Sequence, residues 1–170
     1  MQRSSFGEMQ CSVARTLDIV GDTWTPLVLR DIALGISRFD AIQRNLGLSR
    51  KVLTQRLRSL EEHDVVARTA YQDGPVRYDY RLTEKGKDLA MVLVAMQRFG
   101  DKWVFGAGNA PIVWHHLGCG QQSEPVVCCD KCGEPVGPDD ALPAPGPGFD
   151  DEQNPELTVL LSSLSSGAGS

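Results

Sequence analysis

Two sets of residues in this chain have types and spacings suited to chemistry. The first is His116, Cys119, Cys129 and Cys132, in the order H-x2-C-x9-C-x2-C, with Gly120 and Gly133 each following a cysteine. Zinc takes four N or S donors in a tetrahedron. A C-x2-C turn closed by glycine offers two thiolates from one knuckle, with amides placed to bond the sulfurs. The spacing therefore predicts a structural zinc site. His115 could stand in for His116, and Cys128 for Cys129 at a looser x3 distance from Cys132. A redox-active C-x-x-C pair is the competing chemistry, but no thioredoxin-like βαβ pattern surrounds these cysteines. Four protein ligands leave no open coordination position, and no Glu-His or Ser-His constellation stands nearby, so an enzyme is not expected.

The second set is Arg50, Lys51, Thr54, Gln55 and Arg58, in LSRKVLTQRLRSLEEH. Helical period puts Leu53, Leu57 and Leu60 on one stripe and Lys51, Thr54, Gln55 and Arg58 on the other, with Arg50 at the entry. Such donors match a DNA major groove, where Arg and Lys pair with guanine edges, Gln with adenine, and Thr with phosphate or the thymine methyl. A solvated helix face would show the same charge pattern, so the neighbouring elements have to decide.

Those elements read as a winged helix-turn-helix. Phe39, Ile42 and Leu46 make the buried edge of a first helix, which Gly47 ends. Ser49 caps a second helix from Arg50 to about His63. Strand Arg68 to Tyr71, turn Gln72-Asp73-Gly74-Pro75, and strand Val76 to Leu82 then form a hairpin, with Val76, Tyr78, Tyr80 and Leu82 on one face and Arg77 near its tip. A basic tip beside a basic helix can reach phosphate or minor groove while the helix fills the major groove. Ahead of this lie two short helices. Val13, Leu17 and Val20 line the first, whereas Trp24, Leu27, Val28 and Ile32 face the core from the second, with Pro26 in its first turn.

Thr83 caps a long helix expected over Glu84 to Phe105, on which Leu89, Val92, Met96, Phe99 and Trp103 recur at coiled-coil spacing. A seam of this kind at the edge of a small domain predicts a symmetric homodimer, and hence a near-palindromic operator with half-sites one helical turn or a multiple apart. The fold class is mainly α with a small β-hairpin wing, α+β, plus a zinc-ribbon-like appendage. We divide the chain into a flexible 1–10, a winged-helix and dimerisation domain at 11–105, a linker at 106–111, a Cys/His module at 112–137 and a disordered acidic tail at 138–170. Within the module, Ile112 to Trp114 and Val126-Val127 are the expected strands. In the tail, Glu156 to Leu164 is apolar enough for a short helix.

Charge fits this division. Residues 1–105 hold 16 Lys+Arg against 13 Asp+Glu, net +3, while 106–170 hold 1 against 9, net −8, giving the −5 of the whole chain. Local charge rather than the isoelectric point governs phosphate contact. No apolar run approaches the ~18 residues of a membrane span or the length of a signal peptide, so a cytoplasmic protein is expected, with five cysteines as thiols or metal ligands.

From Cys11 through Trp103 the chain resembles the HxlR-type transcriptional regulators, a winged-helix group within the MarR-like superfamily. The matching pieces are Cys11, LDIVGDTW (17–24), Leu29-Arg30-Asp31, Arg38-Phe39, LSRKVLTQRLRSLE (48–61), VRYDYRLTEKG (76–86) and FGDKW (99–103). The resemblance implies homodimeric, cytoplasmic, sequence-specific binding to double-stranded DNA in the control of nearby genes. Longer members carry a similar H-x2-CG and C-x2-CG tail, which supports zinc here. Several members sense oxidants or electrophiles through a cysteine at the place of Cys11, which also sits where a helix N-terminus can lower a thiol pKa. The family commonly has proline after that cysteine, and this chain has Ser12. The alternative function is a zinc-ribbon adaptor for another protein, with the winged helix as a dimer scaffold.

Overall fold

The computed structural model describes residues 5–106 and 108–167, and the side chains up to 164. The expectations for the N-terminus, the linker and the tail therefore lie outside the described residues at 1–4, 107 and 168–170. The chain divides into two compact units: Thr16–Glu124, and Pro125 onward together with the residues before Thr16.

The larger unit is built on the expected plan. Helix α1 (Ser12–Val20) is followed by α2 (Thr25–Ala33), α3 (Phe39–Leu46) and α4 (Arg50–Glu62), then strands β1 (Val66–Asp73) and β2 (Val76–Leu82), and α5 (Glu84–Gly100). Val28, Leu29, Ile32, Ile42, Leu48, Leu53, Leu57, Leu60, Val65 and Leu89 close one core under the helix-turn-helix. Trp24 stays exposed and Leu27 half-buried; Leu29, which is not among the expected core residues of α2, is fully buried. Val20 alone of the expected α1 edge is buried, and Val13 and Leu17 remain exposed. Trp24 is the N-cap of α2 and so lies ahead of the helix whose inward face Val28, Leu29 and Ile32 form.

Polar ties fix the angles between these helices. Asp31, fully buried on α2, accepts from Arg30 Nη2 at 2.6 Å and from Asn45 Nδ2 on α3 at 2.8 Å. Gly47, in the left-handed region at φ 64°, makes the sharp turn between α3 and α4. The end of α4 is held by the start of α5. Thr83 Oγ1 donates to the Asp64 carbonyl at 2.7 Å and Lys85 Nζ to the His63 carbonyl at 2.8 Å, a cation where the helix dipole favours one. Gly86 packs directly against the Val65 carbonyl oxygen at this joint.

Beyond Gly100 the long helix does not continue as α. Asp101–Phe105 forms a π-helical turn. A short hairpin, β3 (Trp114–His115) with β4 (Gln122–Ser123), follows, tied to α5 through Gln97: Trp114 Nε1 donates to Gln97 Oε1 at 3.2 Å, and Gln97 Nε2 to the Ile112 carbonyl at 3.2 Å. The strand partner of Trp114 is thus Ser123, not the expected Val126-Val127.

In the other unit Val127 pairs with Val136, whose N–H reaches its carbonyl at 2.9 Å, and Cys128 bridges Pro135. The expected 112–137 module is therefore two hairpins, one in each unit. Residues 6–9 form a turn, and Gln10 Oε1 accepts from the Asp150 N–H at 3.1 Å. The tail is not wholly irregular either, since α6 spans Pro155–Gly167 and buries Leu161. Pro155 explains the start, with its fixed φ and absent N–H at the first turn. Among the described residues no helix is long and apolar enough to cross a membrane.

Candidate nucleic-acid interface

Helix α4 owes its pose to its two faces. Ser49 Oγ accepts from the Val52 N–H at 3.3 Å, so the helix begins at Arg50 as its cap predicts. Leu53, Leu57 and Leu60 are buried, which forces Arg50, Lys51, Thr54, Gln55 and Arg58 to solvent, and all five are exposed. Arg58 Nε lies 2.8 Å from Glu62 Oε1 one turn on. Both groups are exposed, so this pair contributes at most about 1 kcal/mol and yields easily to a stronger acceptor.

Arg56, which the helical wheel leaves between the faces, turns back instead. Its Nη1 is 3.1 Å from Asp22 Oδ2, with both side chains mostly buried. Asp22 also accepts from the Trp24 and Thr25 amides and the Thr25 hydroxyl, so it caps α2 while it anchors α4. Burial pushes its carboxyl up. The Thr25 hydroxyl, the two amides and the Arg56 guanidinium together outweigh that and hold it below the ordinary value of 3.8.

The wing stands beside α4. Strands β1 and β2 pair antiparallel from Val66↔Leu82 to Asp73↔Val76, and Arg77, opposite Gln72 near the tip, is exposed. A bulge leaves Tyr71 without a partner between Ala70↔Tyr78 and Gln72↔Arg77. Residues at the base of α3 join the sheet: the Tyr80 N–H reaches the Ser37 carbonyl at 2.8 Å, and Arg38 bridges Asp79.

Neither Arg38 nor Arg68 is assigned to the interface by the sequence reading. Arg38 lies over the Tyr71 ring at 4.6 Å, Arg68 over Tyr78 at 4.5 Å, and Arg50 over Phe39 at 5.0 Å. The bulge could have been sought in the mismatch between strand lengths, but the ring that each arginine meets depends on register, which spacing alone does not fix.

Along α5 and the π-helical turn that follows it, Val92, Met96, Phe99 and Trp103 are exposed, the last two by 64% and 66%. Leu89 departs from the expected seam, because it sits one turn nearer the domain and is taken into the core. The π-helical turn shifts the phase ahead of Trp103 relative to an unbroken α-helix.

The two Cys/His turns share one local geometry, each in its own unit. The Gly120 N–H bonds the His116 carbonyl at 2.7 Å and the Gly133 N–H the Cys129 carbonyl at 2.9 Å, with both glycines at positive φ, 69° and 75°. His116 Nδ1 is 3.4 Å from Cys119 Sγ. The Cys132 and Lys131 amides and the Cys132 thiol lower the pKa of the Cys129 thiol, the state a metal ligand needs. Among the described residues no three His, Cys, Asp or Glu side chains converge in a metal-holding group. Cys11 is exposed just ahead of α1.

Residues 19–106 match the HxlR-like helix-turn-helix family. An uncharacterised HTH-type transcriptional regulator of Mycobacterium tuberculosis is 41% identical over 138 residues, covering 81% of this chain and 87% of the relative. The crystal structure of PA1607, described as a transcription factor, superposes with a TM-score of 0.72 at 33% identity, over 84% of this chain and all of that one. The redox regulator HypR in its reduced form superposes at 0.50 with 30% identity, over 54% of this chain and 91% of that one.

Proposed function

Because the chain belongs to the HxlR-like helix-turn-helix family of transcriptional regulators, we propose that it acts as a homodimer that reads a near-palindromic operator with Lys51, Thr54, Gln55 and Arg58, while Arg50 and Arg77 contact the backbone. The observation that carries this is the division of α4 into a buried leucine stripe and an exposed donor face next to a projecting wing. Specificity then belongs to the helix and general affinity to the arginines beside it. The exposed Val92, Met96, Phe99 and Trp103 supply the apolar surface for pairing, since a row of large apolar side chains on one helix favours burial against a copy. The hold that Thr83 and Lys85 keep on the end of α4 would carry a change at that dimer helix to the reading helix.

Selection of bound sequences from a random duplex library tests this reading. The expected result is a two-fold-related motif whose preference at one base pair is relaxed by Gln55→Ala, about 1–3 kcal/mol of discrimination, whereas Arg77→Ala weakens all duplexes alike. Binding without sequence preference would defeat it.

Two finer assignments accompany this reading. Zinc, as a structural ion, suits His116, Cys119, Cys129 and Cys132, and what supports it is the spacing H-x2-C-x9-C-x2-C with a glycine after Cys119 and after Cys132. Cys11 is the candidate oxidant or electrophile sensor, supported by its exposure before α1 and by the similarity to a redox regulator.

A further inference from the structure

The hollow between the start of α4 and the wing, about 380 Å³, is lined by four arginines, Arg38, Arg50, Arg68 and Arg77, and by one acid, Asp40. Two of these arginines are held from behind. Arg38 rests on the Tyr71 ring with its Nε 3.5 Å from Asp79, and Arg68 rests on Tyr78 with its Nε 3.2 Å from Glu61. A guanidinium with one face on a ring and its Nε turned to a carboxylate is fixed in direction. Its fork of five N–H donors still has capacity for another acceptor. The bulge matters here, because the extra residue in β1 is Tyr71 itself, and breaking the alternation at that point aims its ring at Arg38.

We propose that this hollow is a phosphodiester site, in which Arg38 and Arg68 grip the DNA backbone between the groove read by α4 and the wing. The proposal rests on the reading of α4 given above. Three features select the ligand. The lining carries a cationic excess, which calls for an anion. Planar forks match the oxygens of a phosphate. Arg50 belongs both to the hollow and to the face of α4, so an anion bound there is continuous with a duplex lying on that face. Ring-stacked, carboxylate-tethered arginines have little reach, which fits the sequence-independent backbone rather than a base edge.

The test uses the full chain, with Arg38→Gln, Arg68→Gln and the double variant, and fluorescence anisotropy on the selected operator and on a scrambled duplex between 50 and 200 mM salt. Each lost phosphate contact should make the slope of log K against log salt shallower by about 0.9. The double variant loses two contacts per protomer and four per dimer, so its affinity loss relative to wild type should be about 150-fold larger at 50 mM than at 200 mM, on both duplexes. Arg98→Gln, an equal change of charge on α5, should leave the slope alone. Arg38→Lys and Arg68→Lys keep the charge and should keep the slope, which separates a lost phosphate contact from a misfolded wing. A wild-type slope in the double variant, or a loss confined to the operator, would overturn the phosphate site while Gln55-dependent selectivity stands. Failure of the wild-type protein to bind either duplex would instead overturn the reading on which the site rests, and the site with it.

Discussion

Asp22→Ala should be among the most damaging changes outside the apolar core, because one carboxylate serves two helices. Its bonds to the Trp24 and Thr25 amides cap α2, and an Asp-to-Ala change at a cap costs about 1 kcal/mol. Its pairing with Arg56 at 3.1 Å is a hydrogen bond to a charged group, worth about 1.5–3 kcal/mol, between side chains exposed by only 17% and 23%. Removing the acid also strands a guanidinium whose Nε already has no partner. Together these give a loss of about 2–4 kcal/mol. Asp22→Asn keeps the cap and loses the charge, so about 1–2 kcal/mol is expected.

The assay is urea unfolding at fixed protein concentration, since any association would make stability concentration-dependent. A double-mutant cycle with Arg56→Met should return a coupling of about 1–2 kcal/mol. The pH dependence has a definite sign. The folded Asp22 carboxyl lies below 3.8, so its contribution is present above the unfolded value and disappears as pH falls through the folded one. The penalty of Asp22→Asn should therefore shrink in acid. A coupling under about 0.3 kcal/mol, or a penalty indifferent to pH, would refute the two-helix role.

Gly86→Ala should lose about 1–3 kcal/mol in the same unfolding assay, because its Cβ would drive into the Val65 carbonyl and press Leu82 Cβ at 3.3 Å; helix propensity alone predicts a gain of up to about 1 kcal/mol, so the sign decides. Phe99→Asp with Trp103→Asp should convert a dimer to monomers in sedimentation while leaving the fold intact, since both rings are exposed in one chain; a persisting dimer would place the interface elsewhere. Elemental analysis should find one zinc per chain, lost in Cys129→Ser, whereas a metal-free protein with all five thiols open to alkylation would end that assignment. Cys11→Ser should abolish any effect of diamide on DNA binding, and an unchanged response would remove Cys11 from consideration.

The elements were legible because each carries its own punctuation. Gly47 and Ser49 mark the turn of the helix-turn-helix, three leucines mark the inner face of α4, and period-two alternation marks β2; these are local signals, and the exposed donor face follows from the leucines by geometry. Other decisions needed the assembled chain. Whether Leu89 belongs to a seam or a core depends on what faces α5, and whether Arg56 points out or back depends on where Asp22 arrives. The sequence shows TEKG at the start of α5 but not that the glycine must clear the Val65 carbonyl. Likewise, two cysteine turns can be read from spacing, yet spacing alone did not say that Trp114 pairs with Ser123 and Cys128 with Pro135 across them. Periodicity and capping report on neighbours within about one turn along the chain, and so determine each element and its faces. Register, burial at the joints and the stacking of Arg38 and Arg68 on tyrosines are set between segments distant in sequence, and tertiary packing alone selects them.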